Sequence, residues 1–395
     1  FLIFKGGIEM NMKKFMKRFA AVSMAVVMTV AFAGCGNDSG TSTGDGTAKF
    51  VIGGIGPTTG GAAVYGQAVK NAAEIAAGGI NGYQIEFKWQ DDEHDTEKAV
   101  NAYNALKDDG MQMLMGTVTS APCTAVVALT EEDNMFQLTP SGSAVESIKG
   151  DNAFRVCFSD PNQGVGSADY FAENFPDAKV GVVYNSSDVY SNGIFKTFKK
   201  EAAAKGVNIV ATEAFTKDSA QDFTVQIQKM KEAGADLVFL PFYAQEASLF
   251  LTQADKAGLD VQFFGCDGLD GVIDQLGSNA QLAEGVMLLT PYAADSDNPE
   301  SKKFTEAYKA KYNGEVPNQF AADTYDVLYA MKAAADDAGI TPDMSNEDIS
   351  AALSASMLNI TVNGLTGEAK WTEDGECDKA PKAYVIKDGV YASME

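Results

Sequence analysis

Short apolar runs alternate with amphipathic helical stretches through most of this sequence, and no other feature constrains its fold as strongly. The apolar runs have the length and composition of strands, and stretches with helical periodicity lie between most of them. The strands are predicted at 49–55, 83–90, 111–116, 135–139, 179–184, 207–215, 236–242 and 261–265. Because strand–helix–strand units pack as parallel sheets with helices on both faces, the predicted fold class is α/β.

The alternation runs twice along the chain, which predicts two lobes. The first run ends near Pro140 and the second begins at Lys179. The stretch 152–164 between them contains Pro and Gly and is predicted to be an extended crossover between the lobes. A chain of 395 residues is also too long for one compact core and suits two domains of about 100 to 200 residues.

The pattern changes after 285–292, where the second run ends. Helices are predicted at 299–313 and 319–337, and a hairpin-like segment at 358–377 precedes a last strand at 382–391. The late helices are expected to return to the first lobe. We therefore predict two doubly wound parallel-sheet lobes joined by a multi-crossover hinge. The predicted boundaries are 49–160 plus 290–380 for lobe I and 161–289 plus 381–395 for lobe II.

Residues 1–34 are predicted to hold a leader and a signal peptide. A basic patch precedes a short apolar segment that ends in small residues, "FAGC". This ending resembles a lipobox, so Cys35 is predicted to be lipidated and to anchor the mature protein at the outer face of the cell membrane; plain secretion is the alternative. The polar stretch 35–48 is predicted to be a flexible tether. Residues 1–11 lie upstream of a plausible start at Met12 and are interpreted as a translated leader.

The charge of the chain excludes one class of partner. The chain has a net charge of −24, and because residues 1–34 carry five basic and one acidic side chain, the remainder carries −28. A field of this sign repels nucleic acid, and no Lys- or Arg-rich stretch outside the signal offers a phosphate-binding face. No nucleic-acid partner is therefore expected.

The cysteines that follow Cys35 are widely spaced and form no CxxC motif, so neither a zinc site nor a thioredoxin-type redox site is predicted. Two disulfides and four free thiols both remain open. These cysteines are Cys123, Cys157, Cys266 and Cys377.

The glycine-rich loop at 53–66 raises the question of a phosphate site, because strand, glycines and helix follow one another there. Thr59 breaks the dinucleotide fingerprint, and a P-loop needs a lysine where none occurs before Lys70. Pro57 also lacks an N–H donor. The glycines are therefore predicted to turn the first strand into the first helix rather than to bind phosphate.

Two later strand ends carry small hydroxyl side chains, in the segments 116–126 and 139–147. Ser120, Ser141 and Ser143 are typical helix caps, but hydroxyls and unpaired N–H groups at adjacent strand ends also make a site for a small carboxylate.

The second run places a different kind of side chain at its strand ends. Tyr190 and Tyr243 are aromatic, and Asp267 directly follows a strand predicted to be buried, where an acid without a partner is costly. Asp270 is interpreted as a cap of the next helix, a role also open to Asp267. His94 lies in an acidic loop and is interpreted as solvated surface.

Nine segments taken in order resemble the branched-chain amino-acid (Leu/Ile/Val) binding proteins of ABC importers. The resemblance covers about 49–395. The segments are "IGPTTGGAAVYG", "GGING", "WQDDEHDTEKAV", "MGTVTSAPCTAV", "LTPSGSA", "SDVYSNG", "FYAQEASLFLTQADKAGL", "FGCDG" and "GLTGEAKWTEDG". This family has the type I periplasmic-binding-protein fold, so the resemblance implies that fold for the two lobes.

The resemblance also implies a set of ligand-binding residues. The hydroxyls of Ser120 and Ser143 match those that bind the ligand carboxylate, and the carbonyl of Ser141 is available to the ammonium group. Asp267 matches an acid placed against that ammonium. The pocket walls match Tyr65, Tyr190 and Tyr243, of which Tyr190 lies in a segment about one residue longer than its counterparts.

Some relatives have a disulfide between the "DD" loop and the serine loop, and this chain has His94 and Thr119 at about those places. That disulfide is therefore expected to be absent.

The implied function is capture of a free amino acid between two closing lobes and its delivery to ABC permease and ATPase subunits, without cofactor, metal or catalysis, by a monomer. No GxSxG or HExxH motif is present. A ligand-sensing receptor subunit of the same fold and a binder of an amide or urea-type solute are the alternatives.

Overall fold

Two β-sheets carry the fold in the computed structural model, which describes residues 49–79, 82–294, 298–377, 379 and 382–394. The predicted signal peptide, Cys35 and the predicted tether lie outside the described residues. No helix in the described part is long and apolar enough to cross a membrane.

The first sheet has five parallel strands in the order β2-β1-β3-β4-β5. They are β1 (Phe50–Gly56), β2 (Ile85–Asp91), β3 (Met113–Gly116), β4 (Phe136–Thr139) and β5 (Ala153–Arg155). The helices that connect or follow these strands are α1 (Ala63–Gly79), α2 (Thr96–Asp108), α3 (Ser120–Glu132) and α4 (Asp160–Asn174).

The second sheet has seven strands in the order β14-β13-β10-β9-β8-β6-β7, of which β13 and β14 are antiparallel to their neighbours. Its strands are β6 (Val180–Asn185), β7 (Ile209–Phe215), β8 (Leu237–Leu240), β9 (Gln262–Gly265), β10 (Met287–Thr290), β13 (Lys382–Lys387) and β14 (Val390–Ser393). A separate hairpin is formed by β11 (Val362–Gly364) and β12 (Gly367–Ala369). The remaining helices are α5 (Val189–Lys205), α6 (Thr224–Ala233), α7 (Ala244–Lys256), α8 (Val272–Leu276), α9 (Pro299–Lys311), α10 (Gln319–Ala338) and α11 (Asn346–Met357).

The central strands of each sheet are buried on both faces, as a parallel sheet covered by helices requires. Along β8, Leu237 and Phe239 belong to one buried cluster, while Val238 and Leu240 belong to another. Phe239 packs edge-on against Phe171 of α4, with the ring centroids 5.7 Å apart. The period-2 alternation therefore sends successive side chains to two separate cores. This confirms the α/β class with two parallel-sheet layers.

The stretch 152–164 departs from the extended crossover predicted for it. It contains β5, and α4 begins at Asp160 because the hydroxyl of Ser159 accepts the Asn162 N–H (3.4 Å) and Pro161 fits the first helical turn. The segment 382–391 also differs from its prediction as a single strand. It forms the hairpin of β13 and β14, which turns at Asp388 and Gly389 with left-handed φ values of 53° and 76°.

The late helices pack on elements of the first sheet. Helix α10 packs along α1, and α11 packs against α10 and β4. Helix α10 therefore brings residues from the end of the chain to the carboxyl ends of the first-sheet strands. The lobe boundaries themselves stay a prediction.

Candidate functional site

Six of the seven residues predicted to bind the ligand line one small cavity at the strand ends of the two sheets. Its volume is about 10 Å³, room for about one water molecule. The lining residues are Tyr65, Val118, Thr119, Ser141, Ser143, Tyr190, Tyr243, Asp267, Gly268 and Phe320. Ser120, the seventh predicted residue, lies directly behind this lining, 3.4 Å from Ser143 through the two hydroxyl oxygens.

The serine loops are tied together by their own hydroxyls. Ser120 Oγ accepts the N–H groups of Ser143 and Ala144, both at 3.2 Å. Thr139 Oγ1 accepts those of Ser141 (3.3 Å) and Gly142 (2.8 Å). The expectation of unpaired N–H groups in the segment 139–147 is therefore wrong for these four donors, because hydroxyls from the neighbouring turns satisfy them.

A glycine is required where the two serine loops pack closest. A Cβ on Gly142 would lie 2.8 Å from Cys123 Sγ and 2.9 Å from Thr139 Oγ1, closer than real Cβ atoms approach other atoms. Gly142 therefore lets the second loop lie directly on the first turn of α3. The hydroxyl of Ser143 then reaches the cavity beside Thr119.

Arg155 supports this loop from below and was not predicted from the sequence. Its guanidinium is fully buried and donates to the carbonyl oxygens of Gly142 (3.1 Å) and Ala144 (3.0 Å). Its Nε lies 3.2 Å from a carboxylate oxygen of Glu376. A basic residue inside the otherwise apolar strand segment "NAFRVCF" was the available signal. Arg155 fixes the position of the serine loop rather than lining the cavity.

Asp267 is the acidic side of the cavity and is 2% exposed. Burial raises the pKa of its carboxyl to about 6, against the opposing effect of hydrogen bonds from Tyr190 and the Gly268 N–H. Tyr190 donates its hydroxyl to Asp267 Oδ1 at 2.7 Å, and the Asp267 N–H donates to Gln163 Oε1 at 3.2 Å. The carboxylate is thus held in place by neutral donors, and no described residue forms a salt bridge with it.

Asp270 does not cap the helix that follows it, contrary to the interpretation from the sequence. Its Oδ2 accepts the N–H of Gln319, the first residue of α10, at 2.7 Å. Since α10 packs along α1, this bond joins a loop of the second sheet to a helix of the first. Asp270 is therefore a link across the cleft.

Tyrosines carry further contacts from one sheet to the other. The Tyr65 hydroxyl donates to the carbonyl of Gly268 (2.6 Å) and accepts the N–H of Ala244 (2.7 Å). The Tyr65 ring also packs against Tyr243 of the second-sheet side, with the ring centroids 5.4 Å apart. Within each side, Tyr243 stacks on Tyr190 at 4.7 Å and Phe320 packs against Tyr65 at 4.8 Å. The first and second sheets are thereby closed over the cavity.

His94 is not solvated surface, contrary to the interpretation from the sequence. It is partly buried, its Nδ1 lies 2.9 Å from Thr119 Oγ1 in a hydrogen bond, and its ring meets Tyr243 edge-on at 5.3 Å. Burial, together with the nearby charge of Lys217, lowers the pKa of this imidazole to about 4. The acidic surroundings in the sequence were misleading, because Asp92 and Asp95 bond to backbone N–H groups instead.

Asp160 is a further buried acid, and the sequence interpretation missed it. It is 1% exposed, and burial raises its pKa well above the ordinary value. A hydrogen bond with the Ser143 hydroxyl lowers this pKa, and the charge of Asp267 raises it. Because Asp160 opens α4 just after the first sheet ends, it links the serine loop to the second sheet.

The glycine-rich loop is occupied by its own side-chain contacts. The Thr58 N–H donates to Asp91 Oδ1 at 2.8 Å, and the Thr59 hydroxyl donates to Asp91 Oδ2 at 2.6 Å. A carboxylate already satisfies donors that a phosphate would need. This supports the structural interpretation of the loop.

The four cysteines of the described chain are buried and free, so no disulfide forms among them. No group of three His, Cys, Asp or Glu side chains among the described residues is arranged to hold a metal ion.

A larger cavity of about 450 Å³ lies beyond Asp270. Exposed Val316 and Val390 and the acids Asp274 and Glu315 are among its lining residues. Its lining includes the buried acid Asp270 and the hydroxyl of Tyr391, but no serine or threonine among the described residues. The smaller cavity combines Asp267 with serine and threonine residues, which favours it as the functional site.

Comparison with known proteins assigns the chain to a family. Residues 49–388 match the family model described as periplasmic binding protein. A leucine-, isoleucine-, valine-, threonine- and alanine-binding protein of Pseudomonas aeruginosa is 30% identical over 330 residues, which cover 81% of this chain and 85% of the relative.

Two solved structures are similar over nearly their whole length. A leucine-binding protein from Thermotoga maritima has a TM-score of 0.79 and 26% identity, covering 88% of this chain and 98% of that one. A branched-chain amino acid transporter substrate-binding protein from Streptococcus pneumoniae, in complex with isoleucine, has a TM-score of 0.78 and 26% identity, covering 87% and 98%.

Proposed function

This chain belongs to the periplasmic binding protein family, and on that premise we propose that it captures a free amino acid and delivers it to an ABC importer. The family consists of solute-binding proteins rather than enzymes. The activity to be explained is therefore selective capture and release.

The observation that carries the proposal is the buried carboxylate of Asp267 facing serine and threonine hydroxyls in one cavity. An amino acid is a zwitterion, so its site needs an acid for one end and donors for the other. Asp267 would pair with the ammonium group, together with the carbonyl of Ser141. The hydroxyls of Ser143 and Thr119, with Ser120 behind them, would bind the carboxylate.

The remaining cavity walls favour an apolar side chain. Val118, Phe320 and the ring of Tyr65 supply carbon surface, and Tyr243 closes the second side. The relative from Pseudomonas aeruginosa is named for binding leucine, isoleucine, valine, threonine and alanine. A branched-chain or related amino acid is therefore the ligand class that we propose.

Capture requires movement, because a volume of about 10 Å³ does not hold an amino acid. Breaking the contacts that cross the cleft, such as Tyr65 to Gly268 and Asp270 to Gln319, would let the sheets separate. A ligand that touches both sides favours the closed state by the affinity difference between the two states. The importer would then recognise the closed, ligand-bound form.

The location and partners follow from the same proposal. Permease and ATPase subunits would receive the ligand from a monomeric binding protein outside the cytoplasm. A lipid on Cys35 and the tether 35–48 would hold the protein at the outer face of the membrane.

Growth with a labelled fatty acid, followed by mass analysis of wild type and Cys35→Ser, tests the anchor. An unmodified Cys35 in the wild type contradicts it.

A thermal-shift screen of the twenty amino acids, urea and simple amides tests the function, with calorimetry on each hit. We expect leucine, isoleucine or valine to raise the melting temperature and to bind with one site per chain. A shift only with amides or urea would reassign the ligand class. The absence of any amino-acid hit would refute the proposal.

A further inference from the structure

We infer that His94 is a positioning residue that couples closure of the ligand cleft to the protonation state of its imidazole. The inference rests on the proposed function, since it concerns the same cavity. It adds a residue and a solution condition that control capture.

The imidazole is held from its own side by the loop between β2 and α2. The His94 N–H donates to Asp92 Oδ1 at 2.9 Å, and the residue has a left-handed φ of 59°. This region is uncommon for a residue with a side chain, so the loop must be specified by its hydrogen bonds. The ring is thereby aimed at the cleft instead of at solvent.

Across the cleft, the ring contacts both walls of the cavity. Its Nδ1 is bonded to Thr119 Oγ1 (2.9 Å), which belongs to the first-sheet wall. Its edge meets Tyr243 at 5.3 Å, and Tyr243 precedes α7 of the second-sheet side. Tyr243 in turn stacks on Tyr190, the hydroxyl donor to Asp267. One continuous series of contacts therefore runs from His94 to the acid.

The charged groups around the ring favour its neutral form when the cleft is closed. Burial lowers the pKa of His94 to about 4, and the ammonium of Lys217, contributed by the second-sheet side, acts in the same direction. Asp95 on the ring's own loop opposes both effects. Asp92 is itself buried with its pKa raised to about 7, and Tyr243 is a phenol whose pKa burial raises.

Opening removes the groups that keep the imidazole neutral. Tyr243 and Lys217 belong to the second-sheet side, so separation exposes the ring and returns its pKa towards the ordinary value of about 6.5. Closure then requires loss of a proton at any pH below that value. The His94 contribution to closure is complete above about pH 6.5 and is lost as the pH falls towards 4.

The test compares leucine affinity of wild type and His94→Phe by calorimetry between pH 7.5 and pH 4.5. Phenylalanine keeps a ring edge against Tyr243 but cannot titrate. Both proteins retain Asp267, so the ratio of their dissociation constants isolates His94. We expect wild type to lose up to about tenfold more affinity than the variant for each pH unit below about 6.5. Parallel curves overturn the inference.

A second measurement uses wild type alone. His94 is the only histidine in the chain, so in protein carrying a tag without histidine, one imidazole signal in an NMR titration reports it. Adding leucine should lower the imidazole pKa by more than one unit; an unchanged titration contradicts the inference. If wild type binds no amino acid at pH 7.5, the proposed function fails, whereas binding with no imidazole shift refutes only the role of His94.

Discussion

The hydroxyl of Tyr65, on a helix of the first sheet, donates to the carbonyl oxygen of Gly268 in the second-sheet part at 2.6 Å. The two residues are 203 positions apart, and the same hydroxyl accepts the N–H of Ala244 at 2.7 Å. A Cβ on Gly268 would lie 2.6 Å from the Tyr190 hydroxyl, so glycine also lets Tyr190 reach this turn. One phenol of the first-sheet side therefore satisfies two backbone groups of the second-sheet side, which it reaches only in the closed arrangement.

Tyr65→Phe isolates that contribution. We expect ligand affinity to fall by about tenfold or more, because two backbone groups of the closed state lose a partner at about 1–3 kcal/mol. Calorimetry with leucine measures the change, and unchanged affinity contradicts it. Tyr65→Ala is less informative, because Tyr65 is 1% exposed in a packed cluster and its removal leaves a cavity that also lowers stability.

Asp267→Asn tests the acid that the proposal assigns to the ligand ammonium. Asparagine keeps an oxygen for the Tyr190 hydroxyl, so the variant removes charge with little change of shape. We expect affinity to fall by about 2–5 kcal/mol, the cost of deleting one partner of a buried charge pair. The ligand-free variant should melt at a higher temperature than wild type, because an uncompensated buried charge is gone.

Asp274→Asn is the matched control for that variant. Asp274 is an exposed acid whose pKa is still raised by desolvation, and it lines the larger cavity instead of the site. Its affinity for leucine should stay within about threefold of wild type. Equal losses in the two variants would show that general acidity, not a specific pair, drives binding.

Ligand binding should also displace protons near pH 6. Burial raises the pKa of Asp267 to about 6, and an ammonium group beside it would lower that value again. The Asp267 contribution to affinity is therefore complete well above pH 6 and is lost as the pH falls through that value. Calorimetry at pH 6 in buffers of different ionisation enthalpy should show net proton release on binding. In wild type some of these protons come from His94. The His94→Phe variant removes that source and leaves the release from Asp267. No proton release from that variant would contradict the Asp267 assignment.

The sequence predicts the fold from local patterns, and it predicts the residues that line the cavity mainly through the family resemblance, from which alone Tyr65 is assigned. Alternating apolar runs and helical periods locate the parallel strands, and strand-end residues such as Ser143 and Asp267 are visible beside them. Contacts across the cleft are not local. His94 meets Tyr243 of the second-sheet side, and Asp270 bonds to a residue 49 positions away. Acidic neighbours and helix proximity in the sequence therefore misled both interpretations.

The thiols of the four buried cysteines should react slowly in the native protein. Each lies at most 1% exposed, and burial raises the pKa of each, which lowers the fraction of reactive thiolate. In a soluble form that starts at residue 36, four thiols should be titrated with Ellman's reagent only after denaturation. Fewer than four in denatured, non-reduced protein would indicate a disulfide.

Arg155→Met tests whether the serine loop depends on the guanidinium beneath it. Removing this fully buried group leaves the carbonyls of Gly142 and Ala144 without their donor and the carboxylate of Glu376 without its charge partner. We expect the free energy of unfolding to fall by about 3–5 kcal/mol, as when one partner of a buried pair is removed. Glu376→Gln provides the comparison. Glutamine keeps an oxygen for Arg155 Nε and leaves both carbonyl bonds of the guanidinium in place, so this variant should lose less stability than Arg155→Met, although the fully buried guanidinium then lacks its carboxylate. Urea denaturation measures the free energy of unfolding of both variants, and equal small losses would show that Arg155 does not hold the loop.

The folded Arg155→Met protein should also bind leucine more weakly. The loop that carries Ser141 and Ser143 must then be ordered at the expense of binding energy.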